Sequence, residues 1–107
     1  MKNFINLFDD SGWENAKDYP DGTLMKNLRD SNDGRTILLK CAKGFKIESH
    51  SHVVTEQHLV LKGSYTSDGK TFSEGSYQMF GPHEEHGPFE SQDGALILVV
   101  WDPIKTI

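Results

Sequence analysis

The sequence predicts an all-β domain, either a sandwich or a barrel of many short strands. Four Asp-Gly pairs are spread along the chain, and this dipeptide is typical of tight hairpin turns because both residues tolerate positive φ. Ten glycines agree with a chain of frequent turns, and no convincing amphipathic helix of more than about two turns is present. The four pairs are Asp21-Gly22, Asp33-Gly34, Asp68-Gly69 and Asp93-Gly94.

Six segments have the composition of β-strands. The runs RTILLKC and ALILVVW are β-branched or aliphatic and are bounded by turn signals, which favours strands buried inside a sandwich or barrel. Both runs are too short to be good helices. In chain order, the predicted strands cover residues 3–8, 23–28, 35–41, 57–62, 76–80 and 95–101. This set is typical of an all-β sandwich or barrel.

The length of the chain, 107 residues, suits one domain. No linker, low-complexity run or shift in composition divides the sequence, so we predict a single domain over residues 1–107. A barrel suits such a short chain because closure leaves no strand edge exposed.

The charge of the chain argues against several classes of partner. A net charge of -5 disfavours nucleic acid and anionic membranes, since both bind basic patches. No apolar segment reaches the roughly 20 residues that span a bilayer, and the N-terminus is acidic where a signal peptide would be apolar. The single cysteine, Cys41, cannot form an internal disulfide, and its simplest role is that of a small core residue. We expect a soluble cytoplasmic protein with no nucleic-acid or membrane partner.

The segment ESHSHVVTEQH concentrates three of the five histidines of the chain. His50 and His52 are two residues apart, so on a strand their imidazoles would project from one face. A turn of about three residues would then let Glu56 face the same point, and His86 would arrive from much later in the chain. The histidine pair taken alone is more typical of a solvated strand face.

Three imidazoles and one carboxylate form a mixed nitrogen and oxygen ligand set. Such a set suits one divalent transition metal, namely Fe, Mn, Ni, Co, Cu or Zn. It also leaves coordination positions open on an octahedral ion, as catalytic metals require.

Two sequence motifs resemble those of the cupin superfamily. The segment from Gly44 to Gly63 has the spacing of the first cupin motif, which is Gly, five residues, His, one residue, His, three residues, Glu, six residues, Gly. The segment GSYQMFGPHEEH, which ends at His86, resembles the second motif with departures. His83 replaces the turn glycine, Gly81 replaces the usual proline, and Glu90 stands where many members have asparagine.

Nearly the whole chain resembles the ChrR-like cupin group. This resemblance implies a double-stranded β-helix, with two facing antiparallel sheets and a metal between them near one end. It also implies that the metal is held by His50, His52, Glu56 and His86. The group includes the cupin half of certain anti-sigma factors and stand-alone dioxygenases of aromatic ketones and diketones. Its anti-sigma factors carry a separate N-terminal helical domain that this sequence has no residues to build, so we expect no direct sigma-factor control.

We therefore predict a metal-binding cupin that acts on a small molecule as an oxidoreductase of the dioxygenase type. The alternative is a non-catalytic module that binds metal or ligand, or senses them. Sugar isomerisation or epimerisation has no support beyond the fold. The apolar segments NFINLF and ALILVVW exceed what one small barrel interior can take, so we also expect a homodimer.

Two further histidines have open roles. His58 lies two residues after Glu56 and should point to the same side of the strand. It could be a fifth ligand, a substitute for Glu56 or the catalytic base, and a hydrogen-bonded barrel histidine is an equal alternative. His83 is expected to be a surface turn residue, with a ligand at the rim of the site as the lesser alternative.

The sequence says less about the residues around the predicted metal site than about its ligands. Three carboxylates near His86 could make its mouth acidic, although solvated charge is the favoured interpretation. Four apolar residues could form a pocket around the metal, and the strand pattern does not decide which of Met79 and Phe80 faces inward. The carboxylates are Glu84, Glu85 and Glu90, and the apolar residues are Phe45, Met79, Phe80 and Trp101.

Overall fold

The computed structural model describes residues 4–103, which form nine β-strands and no helix. Every strand pairing is antiparallel. The strands are β1 Glu14–Asn15, β2 Leu24–Ser31, β3 Gly34–Cys41, β4 Phe45–Ile47, β5 Glu56–Ser67, β6 Lys70–Ser73, β7 Tyr77–Phe80, β8 Phe89–Ser91 and β9 Ala95–Trp101. The predicted all-β class is confirmed.

The longest strand, β5, belongs to two sheets. Its first part pairs with β9 on one side and β7 on the other, which completes a sheet in the order β1-β2-β3-β9-β5-β7. Its last residues pair with β6 and β8, and β8 also pairs with β4. One strand therefore connects two sheets that curl around a shared interior. The buried core includes Ile37, Leu39, Phe89, Ile97 and Val99.

Five of the six predicted strands are confirmed, with small differences at their ends. The sixth, residues 3–8, is wrong for the residues that the structure describes, because residues 4–6 are irregular and residues 7–8 form a turn. Residue 3 lies outside the described range. The Asn6 side chain accepts a hydrogen bond from the Phe8 amide at 2.9 Å, and Asp9 accepts one from the Ser11 amide at 3.0 Å. These local hydrogen bonds compete with strand pairing.

Two of the four Asp-Gly pairs lie at hairpins between neighbouring strands. Asp68-Gly69 joins β5 to β6, with both residues at positive φ, and Gly34 follows the turn that joins β2 to β3. Asp21-Gly22 lies in the longer connection before β2, and Asp93-Gly94 precedes β9, which does not pair with β8. All four glycines have a positive φ, so each dipeptide turns the chain even where it closes no hairpin.

Gly63 lies where β5 leaves the first sheet for the second. It is the last β5 residue paired with β9, opposite Ala95, and the next residue begins the pairing with β6. Its φ is +72°, and an added Cβ would lie 2.3 Å from the carbonyl oxygen of Gly94. The close approach of the two backbones therefore requires glycine.

Replacing Gly63 by alanine is expected to destabilise the fold strongly, because β5 and β9 would have to separate where they pair. We expect the free energy of unfolding to fall by about 3 kcal/mol or more, as at other overpacked positions. Urea denaturation measures this loss.

Gly69→Ala is the matched control. Gly69 also has a positive φ of +77°, but nothing lies within 4 Å of an added Cβ. Its replacement should cost only the left-handed backbone conformation, about 1–2 kcal/mol. Equal losses in both variants would show that conformation, rather than the contact between β5 and β9, makes Gly63 necessary.

Candidate metal centre

A short antiparallel bridge joins the two sequence motifs. The His50 amide donates to the His86 carbonyl at 2.9 Å, and the His86 amide donates back to the His50 carbonyl at 2.8 Å. His50 and His52 therefore lie in the connection between β4 and β5, rather than on the regular strand that was expected. Their rings still come together, with centroids 5.1 Å apart. The backbone bridge, not strand alternation, positions the pair against the second motif.

Four side chains converge beside this bridge. One ligand atom from each of His50, His52, Glu56 and His86 lies within 4.8 Å of all the others. Glu56 and His86 are buried, whereas His50 and His52 are partly exposed. These four residues could hold a metal ion with one side accessible from outside.

Two of the histidines have their ring orientation fixed by backbone carbonyls. Nδ1 of His50 donates to the carbonyl of Glu48 at 3.0 Å, and Nδ1 of His86 donates to the carbonyl of Glu84 at 3.0 Å. In a neutral ring this leaves Nε2 as the atom with the free lone pair. The Nε2 atom of His86 is buried and has no hydrogen-bond partner. A metal ion would satisfy this buried atom, so the residues present fit the ion that the ligand set predicts.

The carboxylate of Glu56 is the meeting point of the centre. Its Oε1 accepts a hydrogen bond from Nε1 of Trp101 and lies 3.0 Å from Nε2 of His52. Its Oε2 lies 2.6 Å from Nε2 of His58 and 3.2 Å from Nε2 of His86. Trp101 is directly opposite Glu56 in the pairing of β9 with β5, which explains how a residue 45 positions away reaches it.

The electrostatics of these groups suit metal binding. Burial raises the pKa of the Glu56 carboxyl. The hydrogen bond and charge of His58, the charge of His86 and the hydrogen bond from Trp101 lower this pKa by a larger amount, so it lies below the ordinary value. Burial lowers the pKa of His52, against the opposing effect of Glu56. An ionised carboxylate and a neutral imidazole are the forms that bind a metal.

His58 lies behind Glu56 and outside the four-residue cluster. Besides its contact with Glu56, its Nδ1 lies 2.9 Å from the hydroxyl of Tyr65. That hydroxyl donates to Oε1 of Gln78 at 2.7 Å, so it accepts from His58. Both ring nitrogens of His58 are therefore used in hydrogen bonds within the barrel. Tyr65 and Gln78 were not found from the sequence, because their positions beside His58 depend on strand pairing that local sequence does not reveal.

His83 contributes its backbone rather than its ring. It has a φ of +64°, so it adopts the left-handed conformation of the turn glycine that it replaces. Its amide donates to the His52 carbonyl at 2.7 Å. The side chain is exposed and is not in the cluster. The turn of the second motif is thus tied to the first motif despite the departures in its sequence.

Aromatic rings pack around the buried side of the centre. Phe80 stacks on His86 with ring centroids 4.4 Å apart, and Phe89 lies 6.1 Å from His50. Phe80 is buried and Met79 is 60% exposed, so the inward residue is Phe80. Trp101 lies 6.1 Å from His52. Phe80 and Phe89 thus make the inner face of the four-residue cluster largely apolar.

The centre lies between a small internal cavity and an open groove. The cavity of about 30 Å³ includes Phe45, Glu56 and His58 in its lining, and it has room for about one water molecule. The groove of about 570 Å³ reaches His50 and His52 from outside. A molecule larger than water would therefore approach the histidines through the groove.

The charged residues that line this groove are not the three glutamates that the sequence suggested for the mouth of the site. Its charged residues come from the N-terminal part of the chain and from β3, whereas Glu84, Glu85 and Glu90 are exposed and do not line it. The charged lining residues are Glu14, Lys17, Asp18 and Arg35.

Comparison with known proteins identifies the closed β-architecture. The family described as ChrR Cupin-like domain matches residues 2–105. None of the curated proteins matches the chain. Within residues 4–103, no helix is long and apolar enough to cross a membrane.

Several solved structures share the fold. ChrR, in the complex of Rhodobacter sphaeroides SigE with the anti-sigma ChrR, is 22% identical with a TM-score of 0.73, over 89% of this chain and 51% of that chain. An RmlC-like cupin from Shewanella frigidimarina is 19% identical with a TM-score of 0.78, over 96% and 92% of the two chains. An acetylacetone dioxygenase from Acinetobacter johnsonii is 16% identical with a TM-score of 0.78, over 95% and 74%. The chain thus spans about half of the ChrR chain, and the predicted double-stranded β-helix of the cupins is confirmed.

Proposed function

Because the chain belongs to the family of ChrR cupin-like domains, we propose that it binds one divalent transition metal and acts on a small molecule as a dioxygenase. His50, His52, Glu56 and His86 would hold the metal. The observation that carries this proposal is the convergence of their ligand atoms within 4.8 Å, around a buried His86 nitrogen that has no hydrogen-bond partner. Fe, Mn, Ni, Co, Cu and Zn all suit this ligand set.

The division of the site between a narrow, largely apolar interior and an open groove supports oxygen chemistry. When bound, the metal would supply open positions for substrate oxygen atoms and O2. His50 and His52 present the accessible side toward the groove, while Phe80 and Phe89 pack against the inner side, where the cavity is only about 30 Å³. The likeness to the acetylacetone dioxygenase of Acinetobacter johnsonii adds support at the level of fold.

His58 is the proposed base in this reaction. Its Nε2 contacts Oε2 of Glu56 at 2.6 Å, and its Nδ1 connects to the hydroxyl of Tyr65 at 2.9 Å. A base must start as the neutral ring, so Nε2 would keep its proton toward Glu56 and Nδ1 would take up the new one. The protonated Nδ1 would then donate to the Tyr65 hydroxyl, which donates to Gln78.

A non-catalytic binding or sensing module is the second candidate. The likeness to ChrR, an anti-sigma found in complex with SigE, favours it. Elemental analysis of the purified protein separates the two candidates, because iron favours oxygen chemistry and zinc favours sensing.

Alanine at His50, His52 or His86 is expected to lower bound metal more than about tenfold, because each removes one ligand of a four-ligand site. The loss in Glu56→Ala should be milder if the nearby ring of His58 moves in to replace the carboxylate. His58→Ala should retain the metal and lose oxygen-dependent turnover. Metal per chain and O2 consumption with acetylacetone measure these effects.

His83→Ala is the matched control for this series. It removes a histidine from the same motif as His86, but one whose ring lies outside the cluster. Its metal content should equal that of the unchanged protein. A His83 variant without metal beside a His86 variant with full metal would overturn the ligand assignment.

We also propose that the protein is a homodimer. Large apolar side chains are exposed on the outer face of the first sheet, at Tyr77 and Met79, and along the N-terminal segment, at Phe4, Ile5 and Phe8. Pairing of these surfaces between two copies would remove them from water. Sedimentation equilibrium at micromolar concentration should give twice the chain mass of 12.1 kDa; a monomer there contradicts the proposal.

A further inference from the structure

Arg35 places a positive charge on the groove that leads to the candidate metal centre. The groove is lined by Arg35 together with His50, His52 and Trp101. We propose that the molecule bound in this groove carries a carboxylate, which Arg35 binds while the other end of the molecule reaches the metal. This inference rests on the proposed metal-binding function and specifies its substrate class as small organic acids.

Strand register places Arg35 at a defined distance from the centre. Arg35 is opposite Trp101 in the pairing of β3 with β9, and Trp101 is opposite Glu56 in the pairing of β9 with β5. The three residues thus form one row across the sheet. Two strand spacings separate the backbones of Arg35 and Glu56 by roughly 10 Å. A short acid of about five to seven carbons would span this separation.

The guanidinium of Arg35 is held in place by Trp101. Its Cζ lies 5.0 Å from the ring centroid of Trp101, whose own orientation is fixed by the hydrogen bond from Nε1 to Glu56. A guanidinium stacked on a fixed ring is oriented before the ligand arrives, and less side-chain entropy is lost on binding. Arg35 is therefore a preformed recognition group.

No carboxylate in the described part of the chain pairs with the guanidinium of Arg35. Within residues 4–103, no Asp or Glu oxygen lies within 4.0 Å of Arg35. Arg29, by contrast, forms an ion pair with Asp33 at 2.8 Å. The planar fork of a guanidinium matches a carboxylate in two parallel hydrogen bonds. Arg35 is thus free to bind the carboxylate of a ligand.

The other charged residues of the groove weaken its preference for an anionic ligand but do not reverse that preference. Glu14, Asp18 and Lys17 also line the groove, and all three are exposed. Exposed charges are screened by solvent and salt, so their repulsion of an anion is weak. Because Arg35 is also exposed, we expect about a tenfold preference for an acid over a neutral analogue, near the lower end for charged hydrogen bonds.

Two probes test the proposal on the zinc-loaded protein, in which no oxygen chemistry interferes. 4,6-Dioxoheptanoate and heptane-2,4-dione offer the same diketone to the metal and differ in a terminal carboxylate against a methyl group. Calorimetric titration should show about tenfold tighter binding of the acid. In Arg35→Gln the acid should bind no tighter than the neutral diketone, while affinity for the neutral diketone stays unchanged.

Arg29→Gln is the matched control, since it removes the same charge from an arginine outside the groove and should keep the preference for the acid. Equal binding of the two probes by the unchanged protein would overturn the proposal, as would a preference that survives in Arg35→Gln or disappears equally in Arg29→Gln. Zinc content is measured on each sample. Failure to bind zinc would contradict the proposed function. In that case, the ratio of the affinities for the acid and for the neutral diketone, measured on the metal-free protein, still tests the role of Arg35.

Discussion

The buried carboxylate of Glu56 is the constraint on which the candidate centre depends. This side chain is 3% exposed, and an ionised carboxylate at such a position must be compensated by donors or positive charge. In the structure, Nε2 of His58 and the indole of Trp101 form hydrogen bonds to its two oxygens, and Nε2 of His52 and of His86 lie 3.0 and 3.2 Å from them. The fold must therefore bring β5, β9 and the second motif to one point. A metal ion held by the same carboxylate would supply the remaining positive charge.

The sequence predicted the four residues of the cluster better than it predicted the residues that hold them in place. The spacing of His50, His52 and Glu56 carries the motif, and the late position of His86 completes it, so all four residues of the cluster could be named. The role of Trp101 as a donor to Glu56 was not foreseen, since it depends on the register between β9 and β5. Register is determined by packing across the whole sheet and leaves little trace in local sequence.

The same contrast applies to the fold. The runs at 35–41 and 95–101 are largely buried strands, and their apolar composition reflects that burial. Their prediction is confirmed. The apolar composition of residues 3–8 suggested a strand, but backbone amides donate hydrogen bonds to the side chains of Asn6 and Asp9, and these local bonds compete with strand pairing. Parity could not choose between Met79 and Phe80, whereas the stacking of Phe80 on His86 explains the choice.

In the proposed function, metal binding and ligand recognition are assigned to different residues. The four-residue cluster is encoded by the cupin motifs, whereas the groove adds residues of β3 and of the N-terminal connections, which lie outside those motifs, to His50 and His52. Such a division would let one family hold similar centres and still serve different chemistry. In this chain, the groove residue Arg35 would select the ligand without touching the metal.

The central claim is that the four converging side chains bind a metal that the folded state requires. Thermal melting of metal-free and metal-loaded protein tests it most directly, because a site absent from the unfolded chain converts binding energy into folding energy. With metal at about a thousand times its dissociation constant, stability should rise by about 4 kcal/mol, which for a domain of this size raises the midpoint by more than about 10 °C. Equal midpoints with chelator and with saturating metal would contradict the account.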